Sequence, residues 1–391
     1  MNILIHGAHF KNKGAELMLL AIKQQLQTWP ECQSVAGCLR TGTYQQRKQV
    51  GISHLTWRGA FRPPYNRIPY SIYPEYFISQ VLPASLRKAL NIIIETEIDA
   101  VLDASGFTIG DQWGIEKNRR MATLCSRWHQ QGKKVILLPQ AFGPFEIPEI
   151  RQAAKEVIDS SDLIIARDKT SYQNLISISG KPGCIKLFPD FTNILKKKTP
   201  DYIRELSGRA CIIPNSRMID STPSDVSYRY LDFLRLCFEK LEHAKLNPFL
   251  LLHDKGDLEL AKNLDKKITD GIEIVREEDS MQLKGIISEA RVVVSSRFHG
   301  IVSALSQAVP CIATGWSHKY KELMQDYGCE EYIIDLKHKE YIEDRLNKII
   351  DTLEDADSRH ALVGNMLQRG SRQKQLTLDM WSEIHHFLKK A

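Results

Sequence analysis

Across its 391 residues the chain has no C-x-x-C pair, no zinc-finger or RNA-binding motif, no G-x-G-x-x-G fingerprint and no run of about 18 apolar residues. Those absences argue against a dithiol redox motif, a zinc-dependent nucleic-acid module, a standard dinucleotide loop and a membrane-spanning helix. Charge of one sign is also scarce: the formal net charge is +6, and the lysines and arginines are spread along the chain. That balance suits anionic small molecules or an anionic membrane surface, and it falls short of a nucleic-acid footprint. Eight cysteines lie far apart, several inside apolar strand-like runs, and read as buried free thiols of a reducing compartment. Residues 1–6, M-N-I-L-I-H, read as a strand rather than a targeting segment, so a soluble, cytoplasmic protein with at most peripheral membrane contact is expected. His318, His385 and His386 have no carboxylate or cysteine at zinc spacing, and no metal site is expected.

The chain is long for a single core, and two domains are the natural expectation. Short apolar runs at 3–5, 35–37, 100–102, 135–138 and 163–166 each lead toward an amphipathic helical pattern, as βαβ units do. After a basic, proline-containing linker at 196–200 the alternation restarts, with runs at 211–213, 249–252, 272–275, 292–294 and 311–313. The fold class expected is α/β with two Rossmann-like, doubly wound domains, over 1–198 and 199–357. A helical segment, 358–391, carries Leu376, Met380, Trp381, Ile384, Phe387 and Leu388 at helical spacing and should pack back on the body. An insertion at 58–92 interrupts the first domain. Its prolines forbid a regular helix over 58–76, and Arg62, Arg67, Tyr70 and Tyr73 give it an aromatic, basic surface for a membrane, an acceptor or a second subunit.

The segment 291–300, R-V-V-V-S-S-R-F-H-G, carries the most chemistry. Three valines read as a strand buried on both faces, and a helical pattern starts at Ile301. Ser295, Ser296, Arg297, His299 and Gly300 therefore fall at the carboxyl end of a parallel strand, where open α/β sheets place ligands. A helix start and a guanidinium there favour phosphate or carboxylate, and histidine suits proton transfer near neutrality. Plainer readings stand beside these: His299 closing a turn, or Arg297 paired with a carboxylate such as Asp190.

This block, with P-C-I-A-T-G-W-S-H-K-Y at 310–320, resembles the polysaccharide pyruvyltransferase family. Asn12-Lys13-Gly14-Ala15-Glu16 resembles that family's amino-terminal Asn-x-Gly-Asp-Glu motif, with Ala15 where the family usually has Asp. P-Q-A-F-G-P at 139–144, Ala166-Arg167-Asp168 and Pro189-Asp190 resemble further blocks, in family order. The resemblance implies a glycosyltransferase-B-like pair of domains facing a cleft, the first on the acceptor side and the second on the donor side. It also implies transfer of pyruvate from phosphoenolpyruvate, as co-substrate, to a saccharide or lipid-linked oligosaccharide as a ketal. No other cofactor is called for.

On that reading His299 protonates the enol carbon, and Arg167, Arg297, Ser295, Ser296 and the helix start at Gly300 hold the donor. Asp103 is a candidate base for acceptor hydroxyls; a turn or capping role is its plain alternative. Asn12, Gly14, Glu16, Ser105, Gly106, Asp111, Trp113, Gln140, Asp190 and His318 are expected around the acceptor and cleft. Trp113 could offer a sugar platform or be a structural core residue. A sugar-nucleotide glycosyltransferase is the second reading, with residues 295–300 on a diphosphate and Glu322 on the ribose. A non-catalytic saccharide-binding protein is the third. The sequence leaves open whether the chain forms a homo-oligomer.

Overall fold

A computed structural model describes residues 1–56, 79–268, 271–315 and 317–389. The insertion's aromatic and arginine-rich stretch lies outside those residues. Two compact units form. The first takes Met1–Lys11, Met18–Pro189 and Met380–Ala391; the second takes Asn12–Leu17 and Asp190–Asp379. The chain thus returns to the second unit at Asp190, ahead of the basic linker at 196–200.

The first unit is built on eight strands: β1 (Asn2–His6), β2 (Ser34–Gly37), β3 (Ser53–Thr56), β4 (Ile92–Ile94), β5 (Ala100–Asp103), β6 (Lys134–Gln140), β7 (Leu163–Ala166) and β8 (Ile185–Leu187). Every pairing is parallel and the spatial order is β4-β3-β2-β1-β5-β6-β7-β8. The order reverses between β1 and β5, where residues 3–6 pair in register with residues 100–103 and bring His6 level with Asp103. Central strands covered on both faces by helices must be apolar throughout, and Ile3, Ile5, Val101, Leu102, Ile136 and Leu137 are fully buried.

The second unit has five strands, β9 (Ala210–Ile213), β10 (Phe249–Leu252), β11 (Ile274–Arg276), β12 (Val292–Ser295) and β13 (Cys311–Ala313), again all parallel, in the order β11-β10-β9-β12-β13. Its reversal lies between β9 and β12. Val292, Val293 and Val294 are buried, and full burial of each such side chain is worth about 1.5–3 kcal/mol. The buried run anchors the strand, so the loop after it leaves the sheet at a fixed point.

A long helix, Ala356–Lys389, serves both units in turn. Leu362 and Met366 belong to the second unit's core. In the first unit, Trp381 meets Trp29 edge-on with ring centroids 6.1 Å apart, and His385 stacks on the same ring at 4.5 Å. The expected packing of the carboxy-terminal stripe is therefore seen. Among the described residues no helix is long and apolar enough to cross a membrane.

Candidate active site

In an open parallel sheet the strand order reverses at one point, and the two loops on either side of it diverge and leave a crevice. In the second unit β12 leads into that point. Ser295 closes the strand by bonding within its own turn: its Oγ accepts from the Arg297 N–H at 3.1 Å and faces the Arg297 carbonyl at 3.2 Å. Ser296 Oγ lies 2.7 Å from the Tyr230 hydroxyl, and its carbonyl accepts from Asn215 Nδ2 at 2.7 Å and Tyr320 Oη at 3.1 Å. Both serines thus hold the loop in shape. Gly300 does so by being small, since a Cβ there would stand 2.8 Å from Ser295 Oγ.

Arg297 is engaged by a carboxylate, though not by Asp190. Its Nε donates to Asp257 Oδ2 at 3.0 Å and its Nη2 to Asp257 Oδ1, with Asp254 Oδ2 4.0 Å from Nη1. Asp257 is fully buried and also accepts from the Ser216 N–H at 2.9 Å. Burial pushes its carboxyl above the usual range, and Arg297 opposes that push.

His299 lies one residue past Phe298, in the first turn of the helix Phe298–Leu305, which no side chain caps. Its Nε2 stands 3.5 Å from Asp190 Oδ2, with the histidine side chain 12% and the aspartate 2% exposed. Asp190 opens the 3-10 turn Phe191–Ile194, where its Oδ1 accepts from the Thr192 N–H at 3.0 Å and the Thr192 hydroxyl at 2.5 Å. One carboxylate oxygen is thus fixed by the turn while the other faces the imidazole.

The Asn12 to Glu16 motif meets the same histidine. Asn12 Oδ1 accepts from the Gly14 and Ala15 N–H groups at 2.9 and 3.2 Å, capping the helix Lys13–Leu26, while its Nδ2 donates to Asp254 Oδ2 at 2.6 Å. Gly14 is required by the close approach of the ring: a Cβ would collide with His299 Nδ1 and stand 3.0 Å from its Cγ. Glu16 is buried and paired with Lys13 at 3.0 Å; burial raises its pKa and Lys13 opposes the rise. His318 opens the helix His318–Asp326, which also carries Glu322.

The first unit gathers a second cluster at its own reversal point. Asp103 is fully buried; its Oδ1 lies 2.7 Å from His6 Nδ1 and accepts from Ser105 Oγ at 2.7 Å, and its Oδ2 accepts from Gln140 Nε2 at 2.8 Å. Three polar neighbours thus enclose the carboxylate. Trp128 meets the His6 ring edge-on at 5.1 Å. Arg167, at the end of β7, donates from Nη2 to the Gly106 carbonyl at 3.3 Å, while Asp168 caps the helix Lys169–Ile178 by accepting from the Ser171 N–H. Asp111 accepts from the Glu146 N–H at 2.8 Å. Trp113 has Lys117 Nζ 3.8 Å above its ring and Phe107 edge-on at 5.8 Å, so a sugar would find one face already taken.

Sequence reasoning missed His6, His253, Asp254 and Asp257. His253 follows β10 and is buried; burial first, then the charges of Arg297, His299 and Lys13, holds its ring well below the ordinary pKa, so it is neutral. The signal was present as polar residues after an apolar strand: H-D-K-G-D at 253–257 follows β10 as S-R-F-H at 296–299 follows β12. Among the described residues no group of three or more His, Cys, Asp or Glu is placed to hold a metal ion.

The model of the polysaccharide pyruvyl transferase family matches residues 12–318. Among solved structures, HepE of Anabaena in complex with UDP and glucose is similar at a TM-score of 0.60 and 15% identity, covering 100% of both chains. A putative UDP-N-acetylglucosamine 2-epimerase from Listeria monocytogenes is similar at a TM-score of 0.58 and 12% identity, over 100% of this chain and 97% of that one. A glycosyltransferase from Rickettsia africae gives a TM-score of 0.57 and 14% identity, over 100% of this chain and 98% of that one. At these identities the likeness is one of fold, that of two Rossmann-like domains.

Proposed function

The chain belongs to the polysaccharide pyruvyl transferase family, and from that premise we propose that it transfers pyruvate from phosphoenolpyruvate to two hydroxyls of a saccharide, as a ketal, in making a cell-surface polysaccharide. The observation that carries this reading is His299 at a strand-order reversal, with the Asp190 carboxylate behind it. As imidazolium, His299 gives its proton to the terminal enol carbon, and the adjacent carbon becomes oxocarbenium-like. One sugar hydroxyl adds to that carbon, the second displaces phosphate, and the two hydroxyl protons leave. One restores the imidazolium and the other goes out with phosphate or solvent. General acid catalysis of this kind is worth about 10² to 10⁴ in rate. In the second unit Arg297, oriented by Asp257, supplies positive charge for the donor; in the first unit Arg167 offers a further anion anchor and the Asp103 cluster polar groups for a saccharide.

The reaction is redox-neutral and uses phosphoenolpyruvate as co-substrate. The eight free thiols support a reducing, cytoplasmic setting. Contact with the inner membrane face would fall to the insertion, whose relevant residues lie outside the described ones.

A thermal-unfolding panel separates this reading from the sugar-nucleotide and scaffold alternatives. A ligand of the native state at 100 times its Kd adds about 2.7 kcal/mol, a shift of a few degrees. Phosphoenolpyruvate should give it and UDP-sugars should not; the reverse pattern establishes the glycosyltransferase reading, and a response to oligosaccharide alone the scaffold. Gly14→Ala tests the geometry. Alanine gains about 1 kcal/mol of helix propensity, so the fold should hold. The displaced His299 ring should lower turnover about 10²-fold, since roughly 1 Å of misplacement can cost that much. Turnover near wild type, measured as phosphate release, would show that the ring's seat is unimportant.

A further inference from the structure

Lys284 is a buried basic residue that the reaction above leaves unused. It sits in the helix Ser280–Glu289, is 2% exposed, and donates from Nζ to the Thr192 carbonyl at 2.8 Å. Thr192 is the residue that grips Asp190 Oδ1 through both its N–H and its hydroxyl. An unbroken chain of contacts therefore runs from Lys284 through Thr192 to Asp190 and on to His299. The helix and the segment following Asp190 are pressed together along their length. The Lys198 N–H donates to the Met281 carbonyl at 3.0 Å, Lys198 Nζ pairs with Asp279 at 3.1 Å, and a Cβ on Gly285 would stand 2.9 Å from the Lys198 carbonyl carbon.

A buried ammonium costs free energy unless charge pairing and hydrogen bonds offset the lost hydration. Burial brings the Lys284 pKa down to about 7, with Lys374 adding to the fall and Asp190 opposing it. Gln307 Nε2 donates to the Lys284 carbonyl at 3.1 Å and ties the backbone of that turn to the helix Phe298–Leu305 and its end. Tyr327, whose phenol is pushed far up by burial with Asp190 adding to it, is another ionisable group facing this carboxylate.

We propose that Lys284 is a positioning residue: through the Thr192 carbonyl it fixes the Asp190 turn, and so sets where the carboxylate stands behind His299. The proposal rests on His299 as the acid of the proposed reaction, but it concerns the His299–Asp190 pair and can be tested without any substrate. The full-length protein is labelled on its histidines, and the His299 Cε1–Hε1 cross-peak is recorded at one fixed pH in four forms: wild type, Asp190→Asn, Lys284→Met and the double variant. Loss of the carboxylate should move the cross-peak when Lys284 is present, and by less than half as much when it is methionine. In turnover, Lys284→Met should lower kcat about tenfold with donor KM little changed, and should cost nothing further in the Asp190→Asn background. An Asp190→Asn shift of equal size in both backgrounds, or equal losses of kcat, overturns the proposal. If Lys284→Met does not fold, Lys284→Gln enters the same cycle, because it keeps a polar end but removes the charge and shortens the reach to the Thr192 carbonyl. Decoupling is again expected, and an unchanged shift again overturns it. Failure of the phosphoenolpyruvate reading would show separately, in the thermal panel, with the cross-peak result intact.

Discussion

Replacing His299 with alanine is expected to abolish pyruvyl transfer and leave phosphoenolpyruvate binding close to wild type. The substitution removes the proposed proton donor and leaves the other cationic groups in place: Arg297 remains held by Asp257, and Lys13 by Glu16. The expected fall in kcat is about 10² to 10⁴-fold, the usual weight of a positioned acid. The fold should survive, because the ring's polar neighbour keeps its own bonds: Asp190 still caps the Phe191–Ile194 turn through Thr192. The measurements are phosphate release in the presence of acceptor and calorimetric titration with phosphoenolpyruvate. Undiminished phosphate release would remove His299 from the chemistry, and lost affinity with intact kcat would make it an anion anchor instead.

The largest effect on stability should come from Arg297→Ala. It strands a fully buried carboxylate, Asp257, whose pKa burial already raises and Arg297 holds down. Breaking a buried pair from one side typically costs about 3–5 kcal/mol, which a denaturant titration would resolve. The sign with pH follows from the raised carboxyl: as the pH falls, Asp257 takes up a proton, the stranded charge disappears, and the deficit of the variant should shrink. A double variant, Arg297→Met with Asp257→Leu, should recover most of the stability, because apolar replacement of a buried pair is often neutral or better. Donor affinity should remain low in that double variant if Arg297 also binds the donor. Recovery of both properties together would confine Arg297 to a structural role.

The five strands of the second unit were readable from the sequence because each is an apolar run closed by polar or small residues, and there the sheet has helices on both faces. In the first unit β3, β4 and β8 were not. β3 is S-H-L-T, β8 is I-K-L with an exposed leucine, and β4 is a three-residue strand that begins at the last residue of the expected insertion. These strands lie toward the two ends of the sheet, away from the fully buried central strands, and their short runs carry a weaker apolar signal.

The site divides in the same way. The loop after β12 and the N-K-G-A-E turn announce themselves locally, since glycine, histidine and arginine at a strand end have a short-range signature. The partners do not. Asp257 reaches Arg297 from the loop after β10, Asp190 reaches His299 from a 3-10 turn, and Lys284 acts from a helix face. The reading of Arg297 with Asp190 chose the right kind of bond and the wrong carboxylate, because pairing across loops depends on strand order, which no local pattern encodes.

The interleaving of the two units bears on how the chain must be completed during synthesis. Residues 380–389 supply Trp381 and His385 to the ring of Trp29, yet the ribosome makes them only after the whole of 190–379. The second unit likewise draws residues 12–17 from before the first unit's main body. A nascent chain paused at Pro189 would carry Trp29 without its covering helix, and a gene fragment cut there would encode neither unit in full. For this molecule the domain is a unit of packing and not of inheritance: a recombination event that moved one half intact would have to carry two separated pieces of the coding sequence.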